Sequence, residues 1–266
     1  MVFHALVHDP DLTPLRFEVV LDDVEALNQL AAEERLDVAK VSYHAAAHMQ
    51  RRWALVPSGG ALGRGVGPLL VTREPRASLA GARVAVPGGR TTATLLLTLA
   101  EPEATTTAMR YDRIMPAVAA GEVEAGLIIH ESRFTYRRHG LHCYADLGAW
   151  WEATTGELIP LGAIAVRRDL PASLHTEVAR AVHASVAAGL ADPAASAAFV
   201  AEHAQEMDPE VRAQHVALYV NERTLDVGPT GRRAALALFA AARRAHGLDD
   251  PGLDPFVPWR PPPRPA

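Results

Sequence analysis

The sequence predicts an α/β fold of two lobes with a ligand cleft between them. Three observations carry this expectation. Short apolar runs alternate with helical patterns, turns marked by glycine and proline separate them, and "PLLVTRE" and "GAIAVRRD" stand where the chain would cross from lobe to lobe. A length of 266 residues, 49% apolar and 21% charged, suits one large domain or two small ones with a substantial core.

The elements follow in order. Leu15 to Val20, in "LRFEVVLDD", predicts a strand, and Asp22 or Asp23 then caps a helix with Val24, Leu27, Leu30 and Ala31 on one face. "RLDVAKVSYHAAAHMQRR" predicts a short strand to Val41 and a helix from near Ser42, and glycine-rich "SGGALGRGVG" leads into the strand "PLLVTRE". "GARVAVPGGRTTATLLLTLA" is strand, Pro-Gly-Gly turn and helix opening at Thr91. "YDRIMPAVAAGEVEAGLIIHE" is helix, glycine stop and strand, with Ala125 to Ile129 as the buried run. Such alternation predicts parallel sheets. After the strand "LGAIAVRRDLP" the chain is nearly all helical through Ala245, and "PGLDPFVPWRPPPRPA", with seven prolines in sixteen positions, predicts an unpacked tail. The expected division is residues 1–73 with 167–250 as the first lobe, 74–166 as the second and 251–266 as a disordered tail.

A net charge of −5 and a pI near 6.2 give no electrostatic case for nucleic acid or an anionic membrane. No stretch approaches the roughly 18 apolar residues of a membrane helix, and "MVFHALVHDPDL" lacks the features of an export signal, so a cytoplasmic protein is expected. The lone Cys143 excludes an internal disulfide and is expected to be a buried, inert thiol. Oligomeric state is not legible.

Several clusters invite chemistry. The glycines from Gly59 to Gly67 do not open a helix, so a packed or flexible loop is expected rather than a nucleotide cradle. His44 and His48 sit at i and i+4, a spacing that could share a metal, but three alanines lie between them and no third ligand is evident; a solvated or capping pair, and no metal, is expected. His139, His142 and Cys143 read as a polar loop, and Glu122 and Glu124 as residues facing water. The "PGGRTTAT" turn offers free N–H groups at a helix start, suited to a carboxylate, although an ordinary N-cap at Thr91 or Thr92 explains it equally. Lys40, Ser42 and Tyr43 cluster at the corresponding place in the first lobe, where a strand-end charge is an equal explanation for Lys40. His130 closes an apolar strand, where ligands bind in open α/β sheets, and on position alone it is as consistent with a polar strand end as with chemistry.

The blocks "KVSYHA", "SGGALGRGVGPLLV", "VAVPGGRTTAT", "RYDRIMPAVAAGEVEAGLIIHESRFTY" and "DLGAWWEATTG" with "PLGAIAVRRDL" closely resemble the 1,4-dihydroxy-6-naphthoate synthase family of the futalosine route to menaquinone, over roughly Leu6 to Val227. The resemblance implies a two-lobed, periplasmic-binding-protein-like (type II) α/β fold used without a cofactor. It implies a carbon-carbon lyase that converts cyclic dehypoxanthinyl futalosine to 1,4-dihydroxy-6-naphthoate and releases a dihydroxyacetone-type fragment. By motif it places the proton-accepting histidine on His130 and substrate contacts on Lys40, Val41, Ser42, Thr92 and Ala93; Thr91 joins them on the helix-terminus argument alone. An ordinary histidine base would lose activity on acidification through its usual pKa. Glu131 and Ser132 are candidates to orient the ring. The chorismate dehydratase of the same pathway and a non-catalytic solute-binding protein are the alternatives. Family members usually begin with a strand and a Ser-Pro-Cys-Pro-Asn-Asp-Thr-like turn before the equivalent of "FHALVH", so a native chain longer at its N-terminus is expected.

Overall fold

The computed structural model describes residues 2–203 and 208–259. Nine strands are present among them: β1 (Val38–Ser42), β2 (Trp53–Leu55), β3 (Ala61–Gly63), β4 (Leu69–Thr72), β5 (Arg83–Val86), β6 (Thr105–Ala108), β7 (Ala125–Ile128), β8 (His142–Asp146) and β9 (Ile159–Arg167). The helices are α1 (His4–His8), α2 (Val24–Ala32), α3 (Tyr43–Met49), α4 (Thr92–Ala100), α5 (Tyr111–Ala120), α6 (Ser132–Thr135), α7 (Leu147–Thr155), α8 (Ala172–Ala191), α9 (Ala197–His203), α10 (Pro209–Tyr219), α11 (Glu222–Leu225) and α12 (Gly228–His246).

The strands form two sheets. In the first, β9 is central, and β1, β2 and β3 all pair with it antiparallel. The second has the order β6-β5-β7-β4-β8. There β5 runs parallel to β6 and β7, whereas β4 is antiparallel to β7 and β8. Helices α4 and α5 make the crossovers that parallel pairing requires. The expected parallel arrangement therefore holds only for β5, β6 and β7. Alternation of strand and helix specifies a parallel pair only where the crossover returns to the same sheet, and β9 instead comes back from the second sheet into the first.

Backbone pairing also shifts the expected division between lobes. β4 belongs wholly to the second sheet and β9 wholly to the first, so the sheets part between Gly63 and Leu69 and again between Asp146 and Ile159. Residues 15–23 form no strand, correcting the expectation for Leu15 to Val20. This segment finds no strand partner, and Val19, Val20 and Leu21 stay exposed. The tail is another correction. Leu55 donates to the Pro255 carbonyl at 2.7 Å and accepts from Val257 at 2.9 Å, Phe256 and Val257 are buried, and the Arg232 guanidinium lies 4.4 Å from the Phe256 ring centroid. Proline forbids a helix here but leaves the Val257 N–H free to extend the β2 edge. Residues 260–266 of the expected tail lie outside the described residues.

Alternate residues of β9 supply different cores, as a pleated strand requires. Ala163 and Ala165 join a core with Tyr43, Leu95, Trp151 and Phe239, which draws helices from both lobes together, while Ile164 and Val166 pack on Val178, Val182 and Val186 of α8. Helix α5 covers the second sheet with Ile114 and Val118. Asp23 and Thr91 cap α2 and α4 as expected, and Gly121 ends α5 in the left-handed conformation. No single described helix is long and apolar enough to cross a membrane. Cys143 is exposed, not buried, because its strand β8 forms the outer edge of the second sheet.

The glycine-rich segment is packed, as expected. Gly67, leading into β4, faces Gly148 of α7 so closely that a Cβ on Gly67 would lie 2.2 Å from the Gly148 Cα. Two backbones cannot yield as a flexible side chain would. Gly67→Ala is expected to destabilise the fold by about 1–3 kcal/mol or more, as overpacking does. Urea denaturation checks this, and an unchanged midpoint would show that the two segments are free to part.

Candidate active site

The block "IIHESRFTY" is held in place by a residue without catalytic character. Arg133 donates to the Gly67 carbonyl and pairs at 3.2 Å with Asp146, the N-cap of α7, so the segment after β7 is tied to the second sheet. Within it, His130 adopts φ of 55°. A left-handed backbone at a residue with a Cβ is strained, and such strain persists where surrounding structure over-determines it.

His130 faces a cavity of about 690 Å³ shared by both lobes. Lys40 of β1 enters from the first sheet, Tyr111 and Glu131 join His130 from the second, and His215 and Tyr219 come from α10. The Tyr111 ring meets the His130 ring edge-on at 5.5 Å between centroids, and His215 meets it at 6.0 Å. Tyr219 packs edge-on against His215 at 4.7 Å. The His215 Nδ1 lies 3.9 Å from a Glu131 oxygen.

Lys40 stands out among the charges of this cavity. Lys40 keeps solvent-accessible surface but stands inside the cleft walls, and desolvation lowers its pKa. No carboxylate pairs with it among the described residues. Burial, then the Lys40 ammonium and His215, push His130 down to about 3; burial and Lys40 push His215 down to about 4. In the ligand-free protein this keeps His130 neutral in the neutral and mildly acid range, its pKa below the ordinary histidine value. Burial, with the nearby Glu131 carboxylate, pushes the Tyr111 phenol above its ordinary range, so it remains a hydroxyl donor.

Of the residues expected in the site, the structure brings Lys40 and His130 to one cavity. The others serve the framework. Val41 is buried, and Ser42 donates its N–H to Asn28 at 2.9 Å and receives the Asn28 amide at 3.2 Å on its hydroxyl. Thr91 caps α4 and bonds Gly88, Thr92 donates to the Leu161 carbonyl at 2.9 Å, and Ala93 is buried. The α4 N-terminus already has a carboxylate beside it. Glu25 accepts from the Arg90 N–H at 3.3 Å and from Asn28 at 3.1 Å, and a Cβ on Gly88 would lie 2.5 Å from its Oε2. The positive end of the helix attracts an anion, and the chain supplies its own. Ser132 is buried without a bond to His130.

Sequence reasoning missed Tyr111, His215 and Tyr219. The only local signal for the last two was their i, i+4 spacing, which places both on one face of α10. His44 and His48 are also corrected: His44 is 2% exposed, and His246 from the end of α12 joins the two. A second hollow of about 650 Å³, lined by Arg76, Tyr136, Arg137 and Cys143, lies at the outer edge of the second sheet. Partial desolvation and Asp146 raise the pKa of that exposed thiol, which disfavours the reactive thiolate.

A family model described as menaquinone biosynthesis matches residues 1–244. A 1,4-dihydroxy-6-naphtoate synthase of Thermus thermophilus is 53% identical over 96% of this chain and 93% of its own length. One of the same name from Streptomyces coelicolor is 48% identical over 96% and 92%. Among solved structures, a protein from Archaeoglobus fulgidus superimposes with a TM-score of 0.88 at 34% identity, covering 93% of each chain. The ligand-binding component of an ABC-type import system from Staphylococcus aureus gives 0.69 at 16% identity, covering 96% of this chain and 90% of that one. That likeness shows the fold, which is the two-lobed α/β architecture of periplasmic binding proteins.

The crowding of positive charge is open to direct measurement. Lys40→Met removes the cation beside His130 and His215 and is expected to raise both pKa values, short of the ordinary 6.5 because desolvation remains. Histidine ring NMR shifts against pH report it; unmoved values would separate Lys40 from both rings.

Proposed function

The chain belongs to the menaquinone biosynthesis family, and on that premise we propose that it converts cyclic dehypoxanthinyl futalosine to 1,4-dihydroxy-6-naphthoate, with His130 as general base in the interlobe cleft. The relatives named for this product support the reaction. The observation that carries the residue roles is the pairing in one cavity of a neutral imidazole, His130, with an ammonium that has no carboxylate partner among the described residues, Lys40.

The reaction as proposed uses those two groups in sequence. The substrate carboxylate enters beside Lys40 and forms the ion pair that Lys40 lacks among the described residues. A partly desolvated cation gains from a charge-assisted hydrogen bond, so this contact fixes which way round the aromatic part lies. It also changes the base. With the ammonium compensated, the repulsion that depresses His130 is relieved and its basicity rises. A histidine with a pKa of about 3 is a weak base at neutral pH, and a higher value brings it nearer the range where proton transfer is efficient. His130 then takes a proton from the sugar-derived ring as that ring opens and the small dihydroxyacetone-type fragment leaves. The Tyr111 phenol, held protonated, is placed to support developing negative charge on oxygen. The roles of Thr91, Thr92, Val41, Ser42 and Ala93 are those of a frame around this chemistry rather than direct substrate contacts.

The test is to incubate the purified protein with cyclic dehypoxanthinyl futalosine and follow the naphthoate by mass spectrometry. His130→Asn is expected to lower turnover by about 10²–10⁴-fold. A variant with near-normal turnover, or a wild-type protein without product, would overturn the assignment. The pH dependence has a definite sign. The active form of His130 is the unprotonated one, so activity is lost as pH falls through its pKa. Because kcat/KM reports the free enzyme and kcat the complex, kcat/KM is expected to stay level from pH 8 to about 5, with the acid limb of kcat at higher pH than that of kcat/KM. The reverse order would contradict relief of Lys40 by the substrate.

A further inference from the structure

Helix α3 turns one face toward the end of α12, and three imidazoles meet there. His44 and His48 are one helical turn apart on α3, and His246 is the last residue of α12, where Gly247 at φ of 63° ends the helix. All three converge through the same ring atom. The Nε2 of His44 lies 3.0 Å from that of His246 and 3.2 Å from that of His48, and the three ligand atoms lie within 4.8 Å of one another. We propose that His44, His48 and His246 form a binding site for one divalent transition-metal ion of the zinc type, which clasps α3 to α12.

The spacing suits such an ion. Tetrahedral zinc holds imidazole nitrogens at 2.0–2.1 Å, which sets neighbouring ligand atoms about 3.3 Å apart. The tautomer suits it too. His44 Nδ1 lies 3.1 Å from the Thr91 carbonyl oxygen, which can only accept, so the Nδ1 carries the proton and the Nε2 turns its lone pair toward the cluster. A ring N–H given to a backbone carbonyl is the usual support of a metal-binding histidine, because it fixes the ring and strengthens the free nitrogen as a donor. Three imidazoles without a thiolate or carboxylate select zinc and its neighbours, such as cobalt, nickel and copper, over calcium or magnesium. His44 is buried and His246 exposed, so an ion has a route in from solvent, with water as its fourth ligand. Arg90 acts on His44 and His48 as a nearby positive charge, which weakens the hold on a cation without blocking it.

The site lies outside the cleft and shares no residue with it. Its effect is mechanical. The His44 backbone N–H also donates to the Thr92 hydroxyl oxygen at 3.3 Å, so an ion that fixes His44 steadies the α4 N-terminus of the second lobe against α3 and α12 of the first.

The experiment uses the full chain stripped of metal with a chelator. Titration with Co²⁺ is expected to give the visible bands of tetrahedral coordination, saturating at one ion per chain and displaced by Zn²⁺. Zn²⁺ alone should raise the Tm by several degrees once well above its Kd, since it binds the folded state. His246→Gln, an exposed substitution, should weaken Co²⁺ binding about tenfold or more while leaving the metal-free Tm unchanged. Wild-type protein with no saturable site, bands of octahedral geometry, or equal binding by His246→Gln would each overturn the proposal and leave the trio as histidines that share hydrogen bonds. Because the readouts are spectra and melting temperature, the result stands apart from that of the reaction assay.

Discussion

Every strand of the first sheet takes its register from β9, a nine-residue run with β1, β2 and β3 on its edges and buried apolar side chains on both faces. The chemistry depends on that register. Lys40 lies opposite Ile164, with buried Ala39 and Val41 on either side of it. A slip of one residue would exchange the faces, sending the ammonium into the core and an apolar side chain into the cleft. The same strand reaches the second lobe, because the Leu161 carbonyl accepts the Thr92 hydroxyl and the shared core runs past it to Trp151 and Leu95. One buried strand thus sets both the side from which Lys40 enters the cavity and the place of α4 beside it.

Within the cavity desolvation is the governing influence, and Lys40 is a cation with no carboxylate paired to it among the described residues. Desolvation lowers the pKa of Lys40, His130 and His215 alike, and the Lys40 charge adds its repulsion to both imidazoles. The response of a protein to such crowding is to keep the imidazoles neutral and leave one cation waiting for an anion. Substrate binding and activation of the base then become one electrostatic event. The α4 N-terminus, a further positive feature nearby, is already matched by Glu25.

Much of this was legible from the residues, and the limits have physical reasons. The caps at Asp23 and Thr91, the stop at Gly121 and the buried run ending at His130 are local signals, set by capping and periodicity, and they recur in the structure. The family blocks made His130 and Lys40 candidates, and the cavity brings these two together. What the sequence could not show is long-range. Glu25 and Arg90 are 65 residues apart, and His44 and His246 are 202 apart, so neither meeting leaves a spacing to detect. The depressed pKa of His130 comes from burial in the folded cleft and then from Lys40 of the other lobe, and an antiparallel first sheet depends on where β9 returns. Seven prolines dominate the composition of the tail, which hides that Pro255 and Val257 pair with Leu55 and that Phe256 and Val257 are buried.

Isothermal titration of 1,4-dihydroxy-6-naphthoate into the wild type and Lys40→Met tests the central claim, that Lys40 is the unmatched cation the ligand's carboxylate completes. A hydrogen bond between charged groups contributes about 1.5–3 kcal/mol. The account therefore predicts that Lys40→Met binds the product roughly ten- to a hundred-fold more weakly than the wild type. Equal affinity for the two proteins, with the fold intact by circular dichroism, would contradict it and place the carboxylate elsewhere in the cleft.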